Sequence, residues 1–273
     1  MMAVFDRRAR ARRARRAAAG RAAHGFLQRA LAEGIADRLA GVRRDFARVL
    51  DLGGWVAPVL AGGATTLGLA RAQVIGEEDR LPFADASFDL IVSAGTLQDV
   101  ADLPGALLLA RRVLVPDGLL IASFFGGASL SELRADLLAA ESALTGRAAA
   151  RVSPMVDAAE AGALLNRAGF ALPVVDVDRL TVRYDSLFSG LADLHGAGGG
   201  NILVERMPLR RDVLADAAAR FATRAGPDGR IAVGIDVITL TGWAPAPSQP
   251  RPLPRGSGQV SLAAVLKPPK SYS

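Results

Sequence analysis

The carboxylate of Asp51 closes a short apolar run, Arg48-Val49-Leu50-Asp51-Leu52, and Gly53-Gly54 follows at once. A strand that ends in an acid and glycines is where an α/β sheet receives a nucleotide-like cofactor, because bare backbone can approach the ligand there. Trp55, Val56 and Ala57 stand where further glycines would widen such a loop, so the pattern is truncated. A second acidic group, Glu77-Glu78-Asp79, lies just before Leu81-Pro82-Phe83. Asp99 and Asp102 are candidates for a general base by position, with helix capping as the competing role. The chain has no cysteine, which excludes thiolate nucleophiles, disulfides and cysteine-based metal sites. Its two histidines, His24 and His195, lie far apart with no metal-binding spacing, so structural roles are expected for them.

The elements that must position these residues follow from periodicity. Apolar residues at helical spacing from Phe26 to Ala47 predict one or two amphipathic helices. Strands are predicted at Arg48 to Leu52, Thr65 to Leu69 and Gln73 to Ile75. The link Ala70 to Ala72 is too short for a crossover helix, so either one of these two strands is absent or the edge is abbreviated. A strand at Phe88 to Ser93 and a helix from Leu103 to Leu114 come next. Pro116-Asp117-Gly118 should end that helix before a continuously apolar, buried strand, Leu119 to Phe124. Helices are expected over Leu130 to Leu144, Ala158 to Ala168 and around Leu209 to Ala225, with late strands at Ala171 to Val182 and Ile231 to Trp243. The alternation predicts an α/β fold: a Rossmann-like, doubly wound, mostly parallel sheet with helices on both faces and an antiparallel edge.

Composition sets the outer bounds. With 273 residues, 51% hydrophobic and 22% charged, the chain can bury the core of one large α/β domain. A net charge of +6 suggests an anionic partner, but the excess is concentrated in the N-terminal arginines, Arg7, Arg8, Arg10, Arg12, Arg13, Arg15, Arg16 and Arg21. These read as a targeting presequence, a nucleic-acid arm or a solvated helix. No aromatic residues interleave with them to stack bases, so no nucleic-acid partner is expected. No apolar run is long enough for an integral membrane segment and no signal-peptide core follows the arginines, which leads to an expected cytoplasmic location. The expected organisation is a basic helical cap over residues 1–47, the main domain over 48–243 and a Pro/Gly/Ser-rich tail over 244–273, in which Val260 to Leu266 could dock.

The acids before Leu81-Pro82-Phe83, the strand opening Phe88-Asp89 and Pro116-Asp117-Gly118, in that order and spacing, resemble a class I S-adenosylmethionine (SAM)-dependent methyltransferase from about Arg48 to Phe125. Further stretches resemble one group within it, the methyltransferase-like assembly factor of respiratory complex I and its alphaproteobacterial relatives. These are Val4-Phe5-Asp6-Arg7, Ile35-Ala36-Asp37-Arg38-Leu39, Arg167-Ala168-Gly169-Phe170 and Thr241-Gly242-Trp243. A malonyl-carrier-protein methyltransferase is a more distant relative with the same core. The resemblance implies SAM as cofactor, a protein substrate from a respiratory complex, and methyl transfer or arginine hydroxylation as the activity. It implies cofactor contacts at Asp51, Gly53, Gly54, Glu77, Glu78, Leu81 and Ser93, and it makes the N-terminal arginines the start of the folded domain rather than a presequence. This chain departs from the pattern at Trp55 and Ala57, at Gln98-Asp99 where the family has His-Trp, and at Leu67-Gly68-Leu69-Ala70-Arg71, which lacks the acid that would bind the ribose. Those departures make a non-catalytic binding or assembly module the alternative.

Overall fold

A computed structural model describes residues 4–250 and 261. Seven strands form one sheet: β1 (Val49–Leu52), β2 (Thr65–Gly68), β3 (Val74–Ile75), β4 (Phe88–Ala94), β5 (Leu114–Gly126), β6 (Ala171–Tyr184) and β7 (Ile231–Trp243). Their order is β3-β2-β1-β4-β5-β7-β6. The first five are parallel, whereas β7 runs antiparallel between β5 and β6. Among the described residues seven α-helices surround the sheet: α1 (Arg7–His24), α2 (Phe26–Ala40), α3 (Leu103–Val113), α4 (Ser131–Thr145), α5 (Ala158–Arg167), α6 (Leu187–Gly196) and α7 (Arg211–Ala222).

The central strands read as unbroken apolar runs because both of their faces are covered. Alternate residues point to opposite sides. Leu50, Leu52, Ile91, Leu120, Ala122 and Phe124 enter one core with α3 and α5, while Val49, Leu90, Val92, Leu119 and Ile121 enter the other with α2. A third cluster joins α4 and α7 to β7 through Leu133, Leu137, Val213, Phe221 and Ile235.

Several expectations change. The Thr65 and Gln73 strands both exist, shortened at one end, and pair in parallel without a crossover helix, so the edge is abbreviated. Gln73 makes this possible, its side chain accepting from Thr66 N at 3.0 Å while its own N donates to Thr66 Oγ1 at 2.9 Å. Pro116-Asp117-Gly118 does not precede β5 but lies inside it, at a register shift where Phe88 faces Leu114 and Leu90 faces Leu119. The bulge absorbs the residues that cannot join the ladder. Helix α6 was not anticipated, since Ser186 through Gly196 offers a short run between a strand end and glycines. The predicted tail lies, beyond residue 250, outside the described residues, as does Val260 to Leu266 apart from residue 261.

Candidate active site

The strand order reverses beside β1, and the loops at the carboxyl ends of β1, β2 and β4 open into one cavity of about 610 Å³. That volume falls in the usual range for a small-molecule site, and the position is where open α/β sheets bind ligands. Register brings the loops together. Leu52 pairs with Ser93 on β4 and with Leu67 on β2, so Gly53 meets the Gly95-Thr96 turn on one side and Gly68 on the other. Gly53 has φ +99°, and a Cβ there would sit 2.4 Å from Thr96 Cγ2. Only glycine satisfies both the conformation and the space.

The expected contact residues divide by position. Gly53 and Glu78 line the cavity. Asp51 is fully buried behind the loop, where its Oδ2 accepts from Val56 N at 2.8 Å and Ala57 N at 2.6 Å, which explains how the non-glycine residues are held in a turn. Burial pushes the Asp51 carboxyl above its ordinary pKa, against these hydrogen bonds and the Arg21 charge. Ser93 is also buried and bonds Thr96 Oγ1 at 2.8 Å, so it shapes the turn. Gly54 faces Thr66 and Arg21. Leu81 is a core residue. Glu77 pairs with Arg7 beside the cavity rather than lining it. Of the two acids proposed by position, Asp102 caps α3 through Gly105 N at 2.9 Å, and Asp99 accepts from Arg10 Nε at 2.9 Å.

Arg10 cannot be told from the neighbouring arginines without the structure. It is 7% exposed and grips Glu78 with both guanidinium nitrogens, at 2.7 and 3.0 Å, while also donating to Thr96 O at 2.8 Å. Burial opposes its charge, but Asp99 and Glu78 outweigh that cost and hold its pKa above the ordinary value. Farther along α1, Arg21 donates to the Gly53 and Gly54 carbonyls and stacks 3.5 Å from the centre of the Trp55 ring. Arg13 ties the same helix to Gly199 O and Asn201 O, both at 2.7 Å. Arg7, Arg10, Arg13 and Arg21 therefore point inward, whereas Arg8, Arg12, Arg15 and Arg16 cover the outer side. His24 also faces the cavity, its Nδ1 lying 2.8 Å from Asp193 Oδ1. Two sequence-distant residues meet here only because α1 lies across α6.

Three buried acceptor oxygens near the cavity have no hydrogen-bond partner: Gln28 Oε1, Gln98 Oε1 and Asp51 Oδ1. Gln28 and Gln98 belong to its lining. Buried polar atoms are seldom left unpaired, and the Gln28 and Gln98 oxygens are placed where water or a donor-rich ligand in the cavity could reach their side chains. Among the described residues no group of three or more metal-ligating side chains occurs.

Sheet order, glycine turn and cavity define the class as the SAM-dependent methyltransferases. A methyltransferase-domain family model matches residues 64–122. The fold resembles the YcgJ protein from Bacillus subtilis, with a TM-score of 0.53 and 16% identity over 79% of this chain and 98% of that one. The chain belongs to the family of the arginine hydroxylase NDUFAF5. It is 33% identical over 264 residues to the mitochondrial NDUFAF5 of Danio rerio, covering 89% of this chain and 82% of that protein. The Homo sapiens protein is 34% identical over 266 residues, 89% and 76% of the two chains. A malonyl-[acyl-carrier protein] O-methyltransferase of Xylella fastidiosa is 35% identical over 176 residues, 64% and 58% of the two.

These relatives correct the expected cytoplasmic location, because the NDUFAF5 proteins are mitochondrial and the family points to mitochondria. Among the described residues no helix is long and apolar enough to cross a membrane, a property that does not separate one aqueous compartment from another.

SAM is the cofactor of this class, and the site suits it. Its amino groups and ribose hydroxyls would offer donors to Gln28 and Gln98, which line the cavity, and the Gly53-Gly54 backbone offers a surface free of side chains. Where a ribose carboxylate would stand, β2 ends at Gly68 and is followed by Leu69, Ala70 and Arg71.

Proposed function

We propose that this chain is a SAM-binding enzyme that modifies an arginine side chain of a protein substrate in the assembly of respiratory complex I. The observation that carries the reading is the single cavity that joins the Gly53 loop to a chamber under α6, giving cofactor and acceptor adjoining places. Family membership supplies the substrate class, since the full-length relatives bear the name arginine hydroxylase.

In this reading Gly53 and Gly54 cradle the cofactor on a loop that Asp51 holds from behind, Gln98 accepts its donors, and Glu78, with lone pairs left over from Arg10, reaches its base. Glu77 supports Glu78 through Arg7, while Ser93 and Leu81 hold the walls. When bound, SAM supplies an activated sulfonium methyl group. The protein's own contribution is orientation and exclusion of water: α1 covers the cavity, and Arg21 with Trp55 closes the loop side.

The test is to incubate the full chain with SAM and purified complex I subunits and map the products by peptide mass spectrometry. A methyl increment on an arginine is expected with SAM alone, a hydroxyl increment only when dioxygen and a reductant are also added, and either should disappear with Gly53→Asp. A second reading, a non-catalytic assembly module, is favoured by the missing carboxylate after β2. It predicts a stable complex with a subunit and no modified arginine.

A further inference from the structure

Beyond the cofactor loop the cavity opens into a chamber whose walls include Leu130, Leu133 and Leu137 at α4, Leu191 and Leu194 on α6 and Leu214 on α7. Three carboxylates line the whole cavity: Glu78, Asp99 and Asp193. Arg10 engages the first two. Asp193, on α6, has no arginine or lysine partner among the described residues. Its neighbours are His24 Nδ1 at 2.8 Å and the phenol of Tyr184, neither of which carries an arginine's permanent charge. Burial, with the charge of Asp193 and a hydrogen bond to it, pushes the Tyr184 pKa up to about 12, so the phenol keeps its proton and donates to the carboxylate.

The cluster is held in place. The His24 ring fills the space that a Cβ on Gly196 would occupy, at 2.2 Å from its Cγ and Cδ2, and a Cβ on Gly20 would lie 3.2 Å from the same Cδ2. A Cβ on Gly190 would lie 3.4 Å from the Tyr184 ring. Helix α1 carries His24 three residues beyond Arg21, which binds the Gly53 and Gly54 carbonyls, and Gly25 abuts Trp55. The cluster thus stands within about one helical turn of the cofactor loop. The Asp193 side chain is 30% exposed, and a carboxylate with no arginine or lysine beside it can take a charge-assisted hydrogen bond from one. A long aliphatic stem ending in a planar cation would satisfy both the leucine walls and the carboxylate.

We propose that Asp193, oriented by His24 and Tyr184, selects the acceptor by binding the guanidinium of an arginine side chain in this chamber, an inference that rests on the arginine-modifying reading above. The probe is Nα-acetyl-arginine N-methylamide, titrated into the full chain and followed by calorimetry and by the ring resonances of His24. A Kd of about 1 mM is expected, with the His24 signals moving along the binding curve. The citrulline analogue, which has the same shape without the charge, and Asp193→Asn should each weaken binding roughly tenfold or more. The lysine analogue should bind less tightly than arginine, lacking the planar fork.

Unmoved His24 signals in the wild-type chain, or equal binding of the arginine and citrulline probes, would overturn the proposal even if the variant failed to fold. S-adenosylhomocysteine is titrated into the same sample. A response to it without one to arginine removes the Asp193 assignment alone, whereas a response to arginine without one to it supports the assignment and removes the cofactor half of the proposed function.

Discussion

At the residue scale, Arg10 carries more of the site than any glycine does. Its guanidinium neutralises Glu78 and Asp99 where water cannot, and removing one partner of a buried ion pair leaves an uncompensated charge. Arg10→Ala should therefore destabilise the protein by about 3–5 kcal/mol in denaturant unfolding, whereas Arg12→Ala, on the exposed side of α1, should change stability by less than about 0.5 kcal/mol. Gly53→Ala forces an L side chain into a left-handed conformation against Thr96, at a cost of about 1–3 kcal/mol and with loss of cofactor affinity. Of the acids that the sequence singles out, Glu78 lines the cavity, whereas Asp51 is buried behind the loop it holds. Arg10 was not legible: one arginine among many shows its role only once a helix sorts them by face. His24 was missed for a similar reason, since its partner lies 169 residues away.

At the scale of elements, α1 is the piece whose behaviour is least like an ordinary helix. Asp6 caps it through Ala9 N at 2.9 Å, and although its first turn has no acid its alanines and arginines favour the helix, so propensity forms it and docking sets where it lies. Arg7 binds Asp79, donating from Nη1 to Oδ1 at 2.7 Å. Burial raises the Asp79 pKa, yet the hydrogen bond and charge of Arg7 win and hold it below 3.8. A carboxyl lowered in this way contributes stability above its unfolded value and loses it as pH falls through the folded one. The stability difference between wild type and Asp79→Asn should accordingly be present at pH 7 and fade below about pH 4; a difference that grows on acidification would contradict the clamp. Helical periodicity revealed α3, α5 and α7 within a few residues. It missed α6, whose turns are set by contact with α1, and it could not show that β5 would carry Pro116 through a bulge.

At the scale of the whole molecule, the parallel core and its antiparallel edge were legible because strands buried on both faces have no polar alternation to obscure them. The cavity was not, because its roof comes from α1 and α6 while its floor comes from the loops after β1, β2 and β4. The cytoplasmic expectation failed on relatives rather than on physics, as the lack of a long apolar helix among the described residues does not tell one compartment from another. A ligand that binds only the folded state stabilises it by about 2.7 kcal/mol at a hundredfold excess over Kd, so SAM should raise the unfolding midpoint, and Gln98→Ala should reduce that rise. The most direct check is calorimetric titration of SAM into the full chain. Saturable binding with a Kd of roughly 1–100 μM is expected, weakened by the missing ribose acid but preserved by the glycine cradle. No heat and no thermal shift at about 1 mM SAM would contradict a working cofactor site.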